Sequence, residues 1–153
     1  MNCRLRFLPN FSRPQCVNLY QCLFQELCIE DCNVVSIHDL ALVEFLQLSY
    51  LDITNSNLKN APSLKQIKGQ VRNLILSRNH IGYLDADYFE GCDRLEFVHL
   101  DHNDLQTMPD FSPIRDIVQI IDVGDNRITE CASLCDDVFT KLQVPIVSHR
   151  IKS

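Results

Sequence analysis

The strongest constraint on this chain is a frame that recurs every 23 or 24 residues. Residues 95–105 read Leu-Glu-Phe-Val-His-Leu-Asp-His-Asn-Asp-Leu, with apolar side chains at frame positions 1, 4, 6 and 11 (Leu95, Val98, Leu100, Leu105) and Asn103 at position 9. The same frame fits Phe24/Leu27/Ile29/Cys32/Val34, Leu48/Leu51/Ile53/Ser56/Leu58, Val71/Leu74/Leu76/Asn79/Ile81 and Val118/Ile121/Val123/Asn126/Ile128. Its starts at 24, 48, 71, 95 and 118 are separated by 24, 23, 24 and 23 residues. A fixed period of this length marks a stacked architecture: no unit buries its apolar face alone, and neighbours complete a continuous core. The alternation over positions 3–7 is that of a strand, so positions 4 and 6 face the core and positions 3, 5 and 7 the opposite surface.

This spacing, L-x-x-L-x-L-x-x-N-x-L, resembles the leucine-rich repeat family over residues 24–128. The resemblance is closest to the 24-residue class typical of extracellular proteins, and Ile81, Leu84, Phe89, Cys92 and Leu95 match that class's convex segment. Cys32 and Ser56 depart from the pattern, standing where the family usually has Asn, and repeats two and four carry short Pro-containing segments in place of the Phe unit. The resemblance implies an α/β leucine-rich repeat solenoid, with a curved parallel β-sheet on the concave face and short helices, turns and extended segments on the convex face. The expected layout is a single domain over residues 1–153. It has a cysteine-containing cap at 1–23, five repeats at 24–128, and a C-terminal cap or truncated sixth repeat at 129–153. Apolar residues over 34–48 suggest a short convex helix. Met108, Pro109 and Pro113 suggest an extended or turn segment, and residues 132–142 an amphipathic helix.

Eight cysteines bear on the compartment. Cys3, Cys16, Cys22, Cys28 and Cys32 lie in the first 32 residues and Cys131 and Cys135 sit four apart near the end, where a solenoid needs its open ends covered. Cys3, Cys16, Cys22, Cys28, Cys131 and Cys135 are therefore candidate disulfide residues, with the pairing open; the alternative keeps the cysteines as reduced, buried small hydrophobes. Asn10-Phe11-Ser12 fits the N-glycosylation acceptor pattern. Arg4, Arg6, Pro9, Arg13 and Pro14 interrupt the start of the chain, which carries no signal-peptide apolar run. Two locations follow: extracellular, with this chain a fragment of a secreted protein or receptor ectodomain, or cytoplasmic. No apolar run reaches the length of a membrane span, so no membrane insertion is expected.

The repeat geometry also sorts the polar residues. Asn79, Asn103 and Asn126 at position 9 turn inward, where an amide pairs backbone groups of adjacent turns, and Cys32 belongs to the same ladder. Positions 2, 3, 5, 7 and 8 carry eight acids (Glu26, Glu30, Asp31, Asp52, Glu96, Asp101, Asp122, Asp125) against Arg72 and Arg78, a balance of -6. The whole chain, with 20 acids and 14 bases, is also at -6, so the acidic excess is concentrated on the expected concave face. Such a field steers basic partners and opposes nucleic acid.

Tyr50, Ile75, Phe97 and Ile120 interrupt the acidic field as apolar anchor candidates. With Asp52, His99, Asp101 and Asp122 they form the expected partner-binding set, an apolar centre with a charged rim. Arg72 and Glu96, at position 2 of adjacent repeats, suit a weak lateral ion pair. His99, Asp101 and Asp122, with His102 and Asp125 beside them, fall close enough to raise a divalent ion. Histidines beside acids are common on acidic surfaces, however, and no metal or cofactor is expected. No P-loop, dinucleotide, zinc-protease or nucleophile-elbow motif is present. Cys28, the one plausible exposed nucleophile, is flanked by Glu26 and Glu30, which disfavour a thiolate.

The expected function is non-enzymatic recognition of a protein or peptide with a basic surface, as the resemblance to receptor ectodomains, adhesion molecules and innate-immune recognition proteins implies. The alternative is an intracellular leucine-rich repeat scaffold or assembly subunit.

Overall fold

The computed structural model describes residues 25–38, 42 and 47–129, and the backbone of residues 3–6. Its strands are β1 (Cys3–Arg6), β2 (Glu26–Glu30), β3 (Tyr50–Thr54), β4 (Asn73–Ile75), β5 (Phe97–His99) and β6 (Ile120–Asp122). They form one parallel sheet in the order β1-β2-β3-β4-β5-β6. Register follows the frame: Leu27 pairs with Leu51, Leu51 with Leu74, Leu74 with Val98 and Val98 with Ile121. Each repeat contributes one strand, laid beside its predecessor.

β1 extends this sheet one repeat earlier than the frame indicates. Cys3 pairs with Leu27 and Leu5 with Ile29, a full 24-residue step back, so part of the segment read as an aperiodic cap is a strand. The frame is hard to see there because its first position falls ahead of Met1 and its eleventh carries Asn10. The rest of the expected N-terminal cap, with Cys16 and Cys22, lies outside the described residues, as do the expected helix at 132–142, Cys131 and Cys135.

Frame positions 1, 4, 6 and 11 build the core. Leu48, Val71 and Leu95; Leu51, Leu74, Val98 and Ile121; Ile53, Leu76 and Leu100; and Leu58, Ile81 and Leu105 are all fully buried. These four columns run across the stack, so an apolar side chain in its interior is covered by the same position of the repeats on either side. Beyond the strands the backbone ladder continues, with His80 N donating to Leu58 O, Asp104 N to Ile81 O and Arg127 N to Leu105 O at 2.8–3.0 Å.

Position 8 explains how the chain leaves the sheet. Asp31, Asn55, Arg78, His102 and Asp125 all adopt left-handed backbone, with φ between 50° and 57°. Asn, Asp and His adopt this region more readily than other non-Gly residues, whereas Arg78 accepts a local cost. The conformation is held across the stack: Asp31 N donates to Thr54 O, Asn55 N to Ser77 O, Arg78 N to Asp101 O and His102 N to Gly124 O.

The turn carries position 9 into the core. Asn79 Oδ1 accepts from Ser56 N and Leu58 N, each at 3.0 Å, while its Nδ2 donates to Ile53 O at 2.6 Å and to Leu76 O and Ser77 O. Asn103 accepts from Ile81 N and donates to Leu76 O; Asn126 accepts from Leu105 N and donates to Leu100 O. Each amide thus binds the preceding repeat through both its donor and its acceptor. Ser56 reaches back with its hydroxyl, to Ile29 O, and among the described residues Cys32 Sγ bonds its own repeat at Glu30 O.

The convex side differs from the expected helices. Among the described residues there is no α-helix, and the one helical element is the three-residue 3-10 turn Ser112–Ile114, with Pro113 in its first turn. It lies in the segment whose prolines suggest an extended or turn conformation. Elsewhere the chain runs through successive tight turns, such as Tyr88 N to Asp85 O, Cys92 N to Phe89 O and Leu95 N to Cys92 O. An α-helix with side chains is about 10 Å across, against about 4.8 Å between strands, so a helix on every repeat forces sharp curvature that flat turns avoid. The described residues of the expected 34–48 helix, 34–38, 42, 47 and 48, are irregular or in turns. Under the turns, Phe89 packs between Tyr88 (5.1 Å, edge to face) and Phe111 (5.2 Å), and Tyr88 Oη donates to Pro62 O at 2.9 Å. Burial pushes the Tyr88 phenol above its ordinary range and the Cys92 thiol up to about 11, which keeps both protonated.

Candidate recognition surface

The alternating strand geometry lays out three rows across the sheet. Position 3 gives Glu26, Tyr50, Asn73, Phe97 and Ile120, and position 5 gives Cys28, Asp52, Ile75, His99 and Asp122, with the register pairing each residue to the next in its row. Position 7 gives Glu30, Thr54, Ser77, Asp101 and Gly124. An apolar lane at the start of the strands therefore runs beside a polar and acidic lane at their ends. Tyr50, Ile75, Phe97, His99, Asp101, Ile120 and Asp122 are all half-buried, because each is shielded by its row neighbours.

Asp52 departs from the expected rim charge: it is only 8% exposed. Thr54 Oγ1 donates to its Oδ1 at 2.5 Å and the Tyr50 hydroxyl to its Oδ2 at 3.4 Å. Removal from water pushes its carboxyl above the usual aspartate range, an effect the Thr54 hydrogen bond opposes and the Glu30 charge reinforces. The Tyr50 phenol is pushed up to about 12 by burial and by the facing Asp52, so it stays a hydroxyl donor. Cys28 corrects the expectation of an exposed nucleophile. It is 8% exposed, in the middle of β2 opposite Asp52. Cys3 lies opposite Leu27 on β1.

Linkage fixes the sign of the Asp52 effect. Because its folded-state pKa is raised, the folded protein binds this proton more tightly than the unfolded chain. The carboxylate thus lowers stability at neutral pH, and the loss is recovered as pH falls through the folded pKa toward the ordinary value. Asp52→Asn, whose amide oxygen still accepts from Thr54, is expected to match or exceed the parent's Tm at pH 7 and to lack the parent's relative gain as pH falls toward the ordinary aspartate range. A Tm series against pH checks this.

Side-chain columns flank the rows and tie the repeats together. At position 2 Arg72 pairs with Glu96, as expected, and Gln119 Nε2 also donates to Glu96 at 2.9 Å. Such an exposed pair contributes roughly 0–1 kcal/mol. At position 10 Asn57 donates to Asn33, and Asp104 meets both His80 (3.3 Å) and Arg127 (3.0 Å). Strand pairing sets His99 opposite Asp122, and His102 lies between Asp101 (2.8 Å) and Asp125 (3.3 Å).

Ser77, which donates to Asp101 Oδ1 at 2.5 Å, is a member of the surface that charge counting passes over. Its signal in the sequence is its place at position 7, one repeat before Asp101. The exposed large hydrophobics among the described residues are Val35 (45% exposed) and Tyr83 (61%), both after the strands rather than on them.

No family model matches the chain. Over 101 residues it is 33% identical to Tsukushi-A of Xenopus laevis, an alignment covering 64% of this chain and 29% of that protein. The chain thus matches less than a third of that relative's length. Parallel strands, a repeating step of 23 or 24 residues and an inward amide ladder fit the leucine-rich repeat family. No helix among the described residues is long and apolar enough to cross a membrane.

Proposed function

We propose that this solenoid is a non-enzymatic recognition module that binds a protein or peptide with basic character across its concave sheet. The observation that carries the reading is the pair of adjoining lanes, Tyr50, Phe97 and Ile120 beside Asp101 and Asp122, set on a hydrogen-bonded sheet. Aromatic and aliphatic side chains already half-buried lose little conformational entropy on binding, and the acidic lane supplies orientation and a faster encounter with cations. The resemblance to the 24-residue class, the cysteines gathered toward the chain ends and the Asn10-Phe11-Ser12 triplet support an extracellular setting, as for a secreted protein or receptor ectodomain.

Selection of random peptides displayed on phage tests this proposal. Peptides retained by the protein are expected to be enriched in Lys and Arg with an apolar residue nearby. Asp101→Asn combined with Asp122→Asn should weaken them ten-fold or more at low salt, and less at high salt as screening grows. Retained peptides without basic enrichment, or unaffected by the double substitution, would contradict the reading.

A further inference from the structure

We infer that His99, Asp101 and Asp122 form a binding site for a divalent transition-metal ion of the zinc class, which revises the expectation that the surface carries no metal. The three residues come from two adjacent repeats: His99 and Asp101 share one face, two residues apart, and the sheet register places Asp122 directly opposite His99. One donor atom from each lies within 4.8 Å of the other two. Ligands about 2.0–2.2 Å from a zinc ion stand roughly 3–3.5 Å apart, so closing the set brings the donor atoms roughly one to two ångströms nearer one another.

What separates this trio from an ordinary meeting of surface charges is its mixed donor set and its support. The neutral imidazole is a preferred donor for zinc, nickel and copper, and two carboxylates balance the charge of a divalent ion. Groups outside the trio hold both carboxylates: Ser77 Oγ donates to Asp101 Oδ1, His102 bonds Asp101 Oδ2, and Gly124 N donates to Asp122 Oδ1 at 2.9 Å. Each carboxylate keeps lone pairs for a metal, and such outer contacts orient ligands and tune affinity. Asp125 is engaged with the far ring nitrogen of His102 and belongs to the support rather than the donor set. Three protein donors are too few for calcium, which takes six to eight oxygens, but suit zinc with water or a partner's group completing the shell.

The test uses the full chain with labelled histidine side chains, titrated with zinc chloride and followed by NMR, which reads His99 separately from any zinc taken up by cysteine thiols. A saturable shift of the His99 imidazole is expected, abolished by Asp122→Asn and by Asp101→Asn, weakened about ten-fold by Ser77→Ala, and retained in Asp125→Asn. Backbone spectra of the variants establish that they remain folded. A His99 signal unmoved at millimolar zinc, or an equal shift in Asp122→Asn, would overturn the assignment.

Discussion

Replacing Asn79 by Leu is expected to lower the unfolding free energy by about 4 kcal/mol, among the largest effects of any single substitution in this chain. The side chain accepts from the N–H groups of Ser56 and Leu58 and donates to Ile53 O, Leu76 O and Ser77 O, and it is 4% exposed. Leucine fits the volume but supplies neither donor nor acceptor. Each buried backbone group left without a partner costs roughly 1–3 kcal/mol, and the two orphaned N–H groups alone account for the figure. Ser56→Ala provides the contrast. Its hydroxyl bonds only Ile29 O and Thr54 O, so the loss should be nearer 1 kcal/mol. Urea denaturation of the two variants beside the parent measures both; equal losses would mean that the ladder does not act through backbone satisfaction.

Phe89→Ala should cost a similar amount for a different reason. Phe89 is 1% exposed on the convex side, with its ring between Tyr88 and Phe111, so it joins the turns of repeats three and four. Truncating a buried Phe removes apolar contact and leaves a cavity, typically about 3–5 kcal/mol. Turns have little propensity of their own to restrain that side, so local opening should follow. Amide exchange over residues 85–95 and 108–114 is expected to accelerate while the β3–β4 amides keep their protection. Phe89→Leu, which fills most of the space, should recover much of the loss.

The core was legible because its information is periodic. Once Leu95, Val98, Leu100 and Leu105 define the frame, the burial of Leu51, Ile53, Leu74, Leu76 and Ile121 follows from the pleat and the stacking alone. The inward amides follow too, since a polar residue at a core position needs partners. β1 was missed where the frame is cut short by the start of the sequence. Convex conformation was harder to read: apolar residues such as Leu64 and Ile67 are buried equally well by a helix or by successive turns, and the sequence pattern does not weigh the width of a helix against strand spacing. On the recognition surface the row positions were legible but their exposure was not. Whether Asp52 lies open or covered depends on Tyr50, Thr54 and the side chains across the strands, which is three-dimensional information. The same holds for Cys28, whose place in the row is legible while its 8% exposure is not.

Recognition through the concave sheet is the central claim, and chemical-shift mapping addresses it most directly. A basic peptide recovered by selection would be titrated into isotopically labelled protein. The account predicts that the largest perturbations fall on Tyr50, Ile75, Phe97 and Ile120 and on the amides of Asp101 and Asp122, and that Tyr50→Ala and Phe97→Ala each weaken binding ten-fold or more. Perturbations gathered instead around Val35 and Tyr83, with both alanine variants binding like the parent, would contradict it and point to assembly through the opposite side of the solenoid.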